Sequence, residues 1–204
     1  MAAFAVLLIL ILSFFLDESV DRWVAAHRFP AWETFAKLCS RYLAWPWLMG
    51  AAGMGLLLAW LCRRRDWMRM LCVMMIASSI AGLSADALRG LTGRTRPYVE
   101  AQGWHGIRSG SQWLITKHAY NSFPSGHVTA AVAFGLPLFL WRRWLAFLVF
   151  PFAGVVGGAR IYAGAHHLSD AVAGAILGSL IAAWVWRRSF SRGQITQESA
   201  PAPE

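Results

Sequence analysis

The chain has 204 residues, of which 57% are hydrophobic and only 14% charged, and its formal net charge is +9. A soluble domain carries about 25% charged residues, so this composition excludes an ordinary water-covered globule and requires a surface that faces lipid. The arginines stand in short clusters between apolar runs. That pattern argues against nucleic acid as a partner, which would need a soluble basic face, and fits nearby anionic lipid headgroups.

Crossing a hydrocarbon core of about 30 Å takes roughly 20 apolar residues as a helix. Six spans are predicted in chain order, over residues 2–16, 43–62, 67–88, 127–141, 144–162 and 167–186. No basic segment precedes the first and no A-x-A cleavage pattern follows it, so it reads as a span rather than a removed signal. Between the first two spans, residues 17–42 are mixed in character. Trp32, Phe35, Ala36 and Cys39 recur at i, i+3, i+4 and i+7, with Glu33, Lys37 and Arg41 on another face. This spacing predicts an amphipathic helix at the membrane surface or a packed connecting helix.

The fourth span is short, and its polar start reads as lying in a protein-lined pocket. A long loop precedes it. There His105 and His118 read as solvated, and Trp104, Trp113 and Tyr120 as a lipid entrance, a packed lid or an interfacial belt. The chain holds twelve tryptophans, many near the ends of apolar runs, where interfacial aromatics sit. Cys39, Cys62 and Cys72 form neither a C-x-x-C pair nor a Cys/His metal spacing, and read as buried inert thiols. The polar segment 189–204 reads as a disordered cytoplasmic tail. The expectation is an all-α fold with one transmembrane domain over 1–188. It is a six-helix transmembrane bundle, with an interfacial helix between the first two spans and a long outer loop between the third and fourth.

Short basic loops set orientation. Arg63, Arg64 and Arg65 join the second and third spans, Arg142 and Arg143 join the fourth and fifth, and Arg187 and Arg188 follow the sixth. Six spans put all three clusters on one side, the cytoplasmic one, with both termini. Three other polar clusters then share the outer side. They are Arg89 to Pro97, Phe123 to His127, and Arg160 to Asp170.

Several guanidinium groups without matching carboxylates suit a phosphate, because each donates paired hydrogen bonds to its oxygens. Pro124-Ser125-Gly126-His127 before a helix offers free N–H groups and a positive helix end, and Gly126 permits close approach of backbone to ligand. Two histidines allow one to attack and the other to move a proton. His166 and Asp170 are four residues apart and share a face if the sixth helix begins there. Asp170 would then accept a hydrogen bond from one imidazole nitrogen and leave the other free. His167 lies about 100° around such a helix and reads as structural or superficial. Asp86 reads as the ion-pair partner of Arg89. Arg94 reads either as a phosphate ligand or as a solvated loop arginine.

These residues match a family pattern of three parts: K-x6-R-P, P-S-G-H and S-R-x5-H-x3-D. The sequence has Arg89-x6-Arg96-Pro97, then Pro124-Ser125-Gly126-His127, then Ala159-Arg160-x5-His166-x3-Asp170. The chain thus resembles the type 2 phosphatidic acid phosphatase superfamily, which also contains the vanadium haloperoxidases. The resemblance implies hydrolysis of a phosphomonoester or diphosphate on a membrane lipid, without metal or other cofactor. Candidate lipids are undecaprenyl diphosphate, phosphatidylglycerol phosphate, phosphatidic acid and lipid A phosphate.

By the same resemblance His166 is the nucleophile, Asp170 orients it, and His127 serves as acid and then base. Arg89, Arg96, Arg160, Ser125 and the Gly126 amide bind phosphate. Arg89 replaces the family lysine and Ala159 the family serine. The implied location is a bacterial inner membrane with the site facing outward. Other readings are lipid-to-lipid phosphotransfer, a haloperoxidase (whose members are soluble) and a non-catalytic lipid-binding or transport protein.

Overall fold

In a computed structural model, which describes residues 1–190, seven α-helices follow one another. They are α1 (Ala2–Ala26), α2 (Pro30–Tyr42), α3 (Trp45–Leu61), α4 (Arg65–Thr92), α5 (Gly126–Trp141), α6 (Ala146–Tyr162) and α7 (Leu168–Phe190). The loop between α4 and α5 carries a small antiparallel hairpin, β1 (Arg108–Ser109) with β2 (Gln112–Trp113).

Small residues make the seams of this bundle. A Cβ on Gly174 would stand 2.8 Å from the Ser125 carbonyl oxygen, and one on Gly178 would stand 2.5 Å from that of Thr129. Only residues without a side chain let α7 and α5 approach so closely, the small-xxx-small device of membrane helices. Ala77, Ser78, Ala81 and Ala85 line the buried face of α4, and Ser78 Oγ donates to the Ala130 carbonyl of α5 at 3.0 Å. The large apolar side chains point outward instead, with Leu83 71% and Leu180 65% exposed. Water would penalise that arrangement, whereas lipid does not. The protein is an integral membrane helical bundle.

Among the described residues, α1, α4, α7 and α6 with its preceding turn are long and apolar enough to cross a bilayer. α2 and α3 form a pair bent by 55°, and α5 is apolar but spans only 16 residues. Length and composition therefore give four crossings, or five if the bent pair is one, rather than the six expected.

Four expectations are corrected. The first helix ends at Ala26 rather than residue 16, because the charged side chains after Leu16 find partners. Asp17 and Asp21 pair with Arg94 and His167, and Glu18 lies 3.8 Å from Arg22 one turn on. The mixed segment 17–42 is thus divided, and only α2 forms the separate amphipathic helix, begun by Pro30 at its first turn. The last helix runs through Phe190, two residues beyond the expected boundary, and the rest of the expected tail, 191–204, lies outside the described residues. Cys62 and Cys72 are exposed on the apolar surface rather than buried, and all three thiols are free.

The basic clusters gather at one end. Trp67 at the start of α4 meets Trp141 at the end of α5, their rings 4.7 Å apart. Arg69 donates to the Ser189 carbonyl at the end of α7. The three motif clusters lie at the opposite helix ends, where α4 and α6 finish and α5 and α7 begin.

Candidate active site

The starts of α5 and α7 are tied together by one backbone bond, from the Ser125 N–H to the Asp170 carbonyl at 3.0 Å. That bond brings the second and third motifs into one site. Just before α7, His166 is wholly buried. Its Nδ1 lies 2.9 Å from the Ser122 carbonyl oxygen. A carbonyl only accepts, so Nδ1 carries the proton and Nε2 the lone pair. Nε2 is buried and has no hydrogen-bond partner among the described residues.

Asp170 differs from expectation. Its Oδ2 lies 3.5 Å from His166 Nδ1, too far for a good hydrogen bond, though close enough for its charge to act. The direct acceptor from the imidazole is Ser122. The carboxylate is occupied elsewhere: Oδ2 accepts from the Ser122 hydroxyl at 2.5 Å and from the His167 N–H at 2.9 Å, and Oδ1 accepts from Arg94 at 2.6 Å. The acceptance from His167 is the reach-back half of a capping box, since Asp170 sits in the first turn of α7. Burial lowers the His166 pKa to about 4, with Arg160 and Arg96 adding to the effect and Asp170 opposing it. The imidazole is therefore neutral near pH 7.

Three guanidinium groups gather near this ring's end of the bundle, and two of them, Arg160 and Arg96, act on the ring by their charge. Arg96 donates from Nε to the His118 carbonyl at 2.9 Å and from Nη2 to that of Asn121 at 3.3 Å, which leaves its buried Nη1 without a partner. Arg160, in the last turn of α6, has its Nε buried and likewise unpartnered. Arg89, in the last turn of α4, pairs with Asp86, as its spacing predicted. Arg89, Arg96 and Arg160 are close enough for their charges to repel one another. The Ser125 hydroxyl is a fourth buried polar group without a partner. His127 lies in the first turn of α5, against the backbone of Ser40 in α2.

Gly126 has a use beyond the expected one. A Cβ there would lie 2.9 Å from Arg89 Nη2, so the missing side chain makes room for a guanidinium as well as for ligand. Arg89 and His127 head a groove of about 440 Å³ that runs along α3, α4 and α5, lined by Trp45, Pro46, Gly82 and Leu83.

Sequence reasoning missed Asp17 and Ser122 and misread Arg94, while His167 takes the structural place that was one of its two readings. Arg94 is neither a phosphate ligand nor solvated. It is 8% exposed and bridges Asp17 and Asp170 at 2.6 Å each. His167 is buried and lies 2.6 Å from Asp21 and 3.1 Å from the Thr95 carbonyl. Ser122 holds both His166 and Asp170, and its position in the sequence carries no signal of this. The signal for Asp17 was an acidic residue at the end of an apolar run. In the loop between α4 and α5 His118 is exposed as expected, and Trp104 packs under Arg94 at 4.9 Å.

Fold and site together define a helical membrane protein whose polar end gathers arginines and two histidines in the manner of a phosphate-handling enzyme. A model of the PAP2 superfamily matches residues 66–194, and the chain belongs to that superfamily. It is 28% identical over 145 residues to the bacitracin transport permease protein BcrC of Bacillus licheniformis, covering 71% of this chain and 68% of that one. It is 36% identical over 114 residues to a lipid A 1-phosphatase of Rhizobium etli, covering 53% of this chain and 47% of the relative, so it spans about half of that protein's length. The crystal structure of a transmembrane PAP2-type phosphatidylglycerolphosphate phosphatase from Bacillus subtilis shares the fold. Its TM-score is 0.60 at 19% identity, over 93% of this chain and 98% of that one.

Proposed function

We propose that this protein hydrolyses a phosphomonoester or diphosphate group on a membrane lipid through a phosphohistidine on His166. The observation that carries the reading is a set of four buried polar atoms without protein partners. Arg96 Nη1, Arg160 Nε, Ser125 Oγ and His166 Nε2 come from all three motifs. Leaving such groups unpaired costs about 1–3 kcal/mol each. Three of them can donate to phosphate oxygens and the fourth carries a lone pair.

The lone pair of His166 Nε2 attacks phosphorus, the bond from phosphorus to the leaving oxygen breaks, and His127 protonates that oxygen. Arg89, Arg96 and Arg160, with the free N–H groups at the start of α5, stabilise the charge that spreads over the transferring phosphoryl group. The Asp170 charge and the Ser122 carbonyl favour the imidazolium that forms. His127 then takes a proton from water, whose oxygen attacks the phosphohistidine and releases inorganic phosphate. The arginines supply the positive charge, so activity is expected to persist in EDTA.

The apolar groove that ends at Arg89 and His127 suits a lipid chain lying alongside its phosphate. Undecaprenyl diphosphate, phosphatidylglycerol phosphate, phosphatidic acid and lipid A phosphate are the candidates, and a phosphate-release panel over the four, with His166→Ala as control, selects among them. Transfer of the phosphoryl group to a second lipid hydroxyl is the alternative outcome, read by product analysis. Six crossings are proposed, by α1, α3, α4, α5, α6 and α7. At about 1.5 Å per residue α3 and α5 are each close to 25 Å long, and α2 lies at the interface. The basic end faces the cytoplasm of a bacterial inner membrane and the site faces outward, by the distribution of arginines. A cysteine placed at Ser109 should react with an impermeant reagent added outside. Labelling only after membrane disruption would reverse the orientation.

A further inference from the structure

The first helix lies outside the stretch that matches the family, residues 66–194, yet it reaches the nucleophile's support. Most of α1 faces outward, and among its described side chains only Ser13, Asp17 and Val24 are buried. Asp17 does more than dock the helix. Its Oδ1 accepts from the Ser169 N–H at 2.8 Å, filling one of the unsatisfied donors at the start of α7. Its Oδ2 accepts from the Ser169 hydroxyl at 2.5 Å and from Arg94 Nη2 at 2.6 Å.

Arg94 Nη1 in turn donates to Ser169 Oγ and to Asp170 Oδ1, both at 2.6 Å. The guanidinium is enclosed by the rings of Trp104, Phe14 and Phe123, at 4.9, 5.2 and 5.9 Å. Those aromatic faces suit a cation and fix its plane. The planar fork serves two carboxylates at once, which a lysine ammonium cannot reproduce.

We propose that Asp17 and Arg94 are positioning residues for the reaction: Asp17 orients Arg94, Arg94 holds Oδ1 of Asp170, and Asp170 thereby sets the orientation of His166. The Asp170 carboxylate is then held on both oxygens, by Arg94 on one side and by Ser122 and the His167 N–H on the other. Without Asp17 the guanidinium keeps one carboxylate in place of two and shifts toward it, carrying Asp170 from its place beside the imidazole. α1 becomes part of the catalytic apparatus rather than an anchor alone.

This inference rests on the phosphohistidine reading, and one experiment separates the two. The purified full chain in detergent is assayed for phosphate release from dioctanoyl phosphatidic acid, as wild type, Asp17→Asn, Asp170→Asn, the double variant and His166→Ala. In Asp17→Asn the charge is lost and one acceptor oxygen becomes an N–H donor, so either Arg94 or the Ser169 N–H loses its partner. Its kcat should fall by roughly 10- to 100-fold, with KM within about twofold of wild type, as for an interaction expressed in the transition state.

Because Asp17 acts through Asp170, the double variant should be within about twofold of Asp170→Asn alone, whereas independent effects would multiply. A kcat for Asp17→Asn within about threefold of wild type, or effects that multiply in the double variant, overturns the positioning role. If Asp17→Asn yields no folded protein by gel filtration and thermal melt, Arg94→Lys replaces it in the same cycle, with the same expectation. Failure of both to fold overturns the proposal in favour of a purely structural contact. Activity retained in His166→Ala would instead overturn the phosphohistidine reading itself.

Discussion

Two adjacent histidines divide the polar end of this molecule into two regions of opposite character. On one side of the α7 start, His166 is wholly buried, one nitrogen bonded to the Ser122 carbonyl and the other unpartnered. On the other side, His167 has both ring nitrogens engaged, with Asp21 and the Thr95 carbonyl. Burial disfavours the charged form in both. At His166 burial prevails and the pKa drops to about 4. At His167 the hydrogen bond and charge of Asp21, with Asp170 behind, outweigh burial and the Arg94 charge, and the pKa is raised. Polar groups with complete partners hold the helices together, whereas Arg96 Nη1, Arg160 Nε, Ser125 Oγ and His166 Nε2 stay without partners among the described residues.

The comparison breaks most sharply by substitution. His166→Ala should abolish phosphate release, by at least about 10⁴-fold as for loss of a covalent nucleophile, while His167→Gln should keep kcat within about threefold. Loss of activity in the second comparable to the first would erase the distinction between the two histidines. Asp170→Asn should leave weak activity, down by roughly 10²- to 10⁴-fold as for a triad carboxylate. Ser122 still fixes the tautomer, so the residual rate should stand at the upper part of that range. Arg89→Lys, which restores the family residue, keeps the charge but loses the fork. Its kcat/KM is expected within about tenfold of wild type, with the change mainly in KM.

The protonation states provide a finer test. Nitrogen-15 spectra of the histidines, assigned with His166→Gln, should show His166 as a neutral Nδ1–H tautomer from pH 8 down to 5, protonating only near 4. An imidazolium at pH 6 would contradict the buried, neutral nucleophile. His167 gives the smallest effect, and its sign is opposite. A pKa raised in the folded state means that its stabilising share is complete below the unfolded value of about 6.5 and is lost as pH climbs through the raised value. The melting temperature of wild type should therefore decline over that window, and His167→Gln should flatten the decline.

Much of the site was legible in the sequence because its chemistry requires particular residue types at short spacings. His127, Asp170, Arg160, Ser125 and Gly126 sit at helix starts or ends, His166 lies one turn before Asp170, Arg96 stands in the loop just after α4, and the pairing of Arg89 with Asp86 follows from helical register alone. Arg94 was misread because its two carboxylate partners are 77 and 76 residues away along the chain. The end of α1 was misplaced for the same reason, since a run of charges closes an apolar span unless distant partners receive them. Length and composition alone count four or five crossings, because α3 and α5 are short and α2 bends into α3.

What the sequence by itself determined is the solvent and the kind of group handled: apolar runs that lipid tolerates, and clustered guanidinium and imidazole groups that suit a phosphate. The tertiary structure alone decided which polar groups complete one another and which stay open. That distinction depends on burial and on bonds 2.5–2.9 Å long between segments far apart in the chain, where desolvation makes a missing partner expensive.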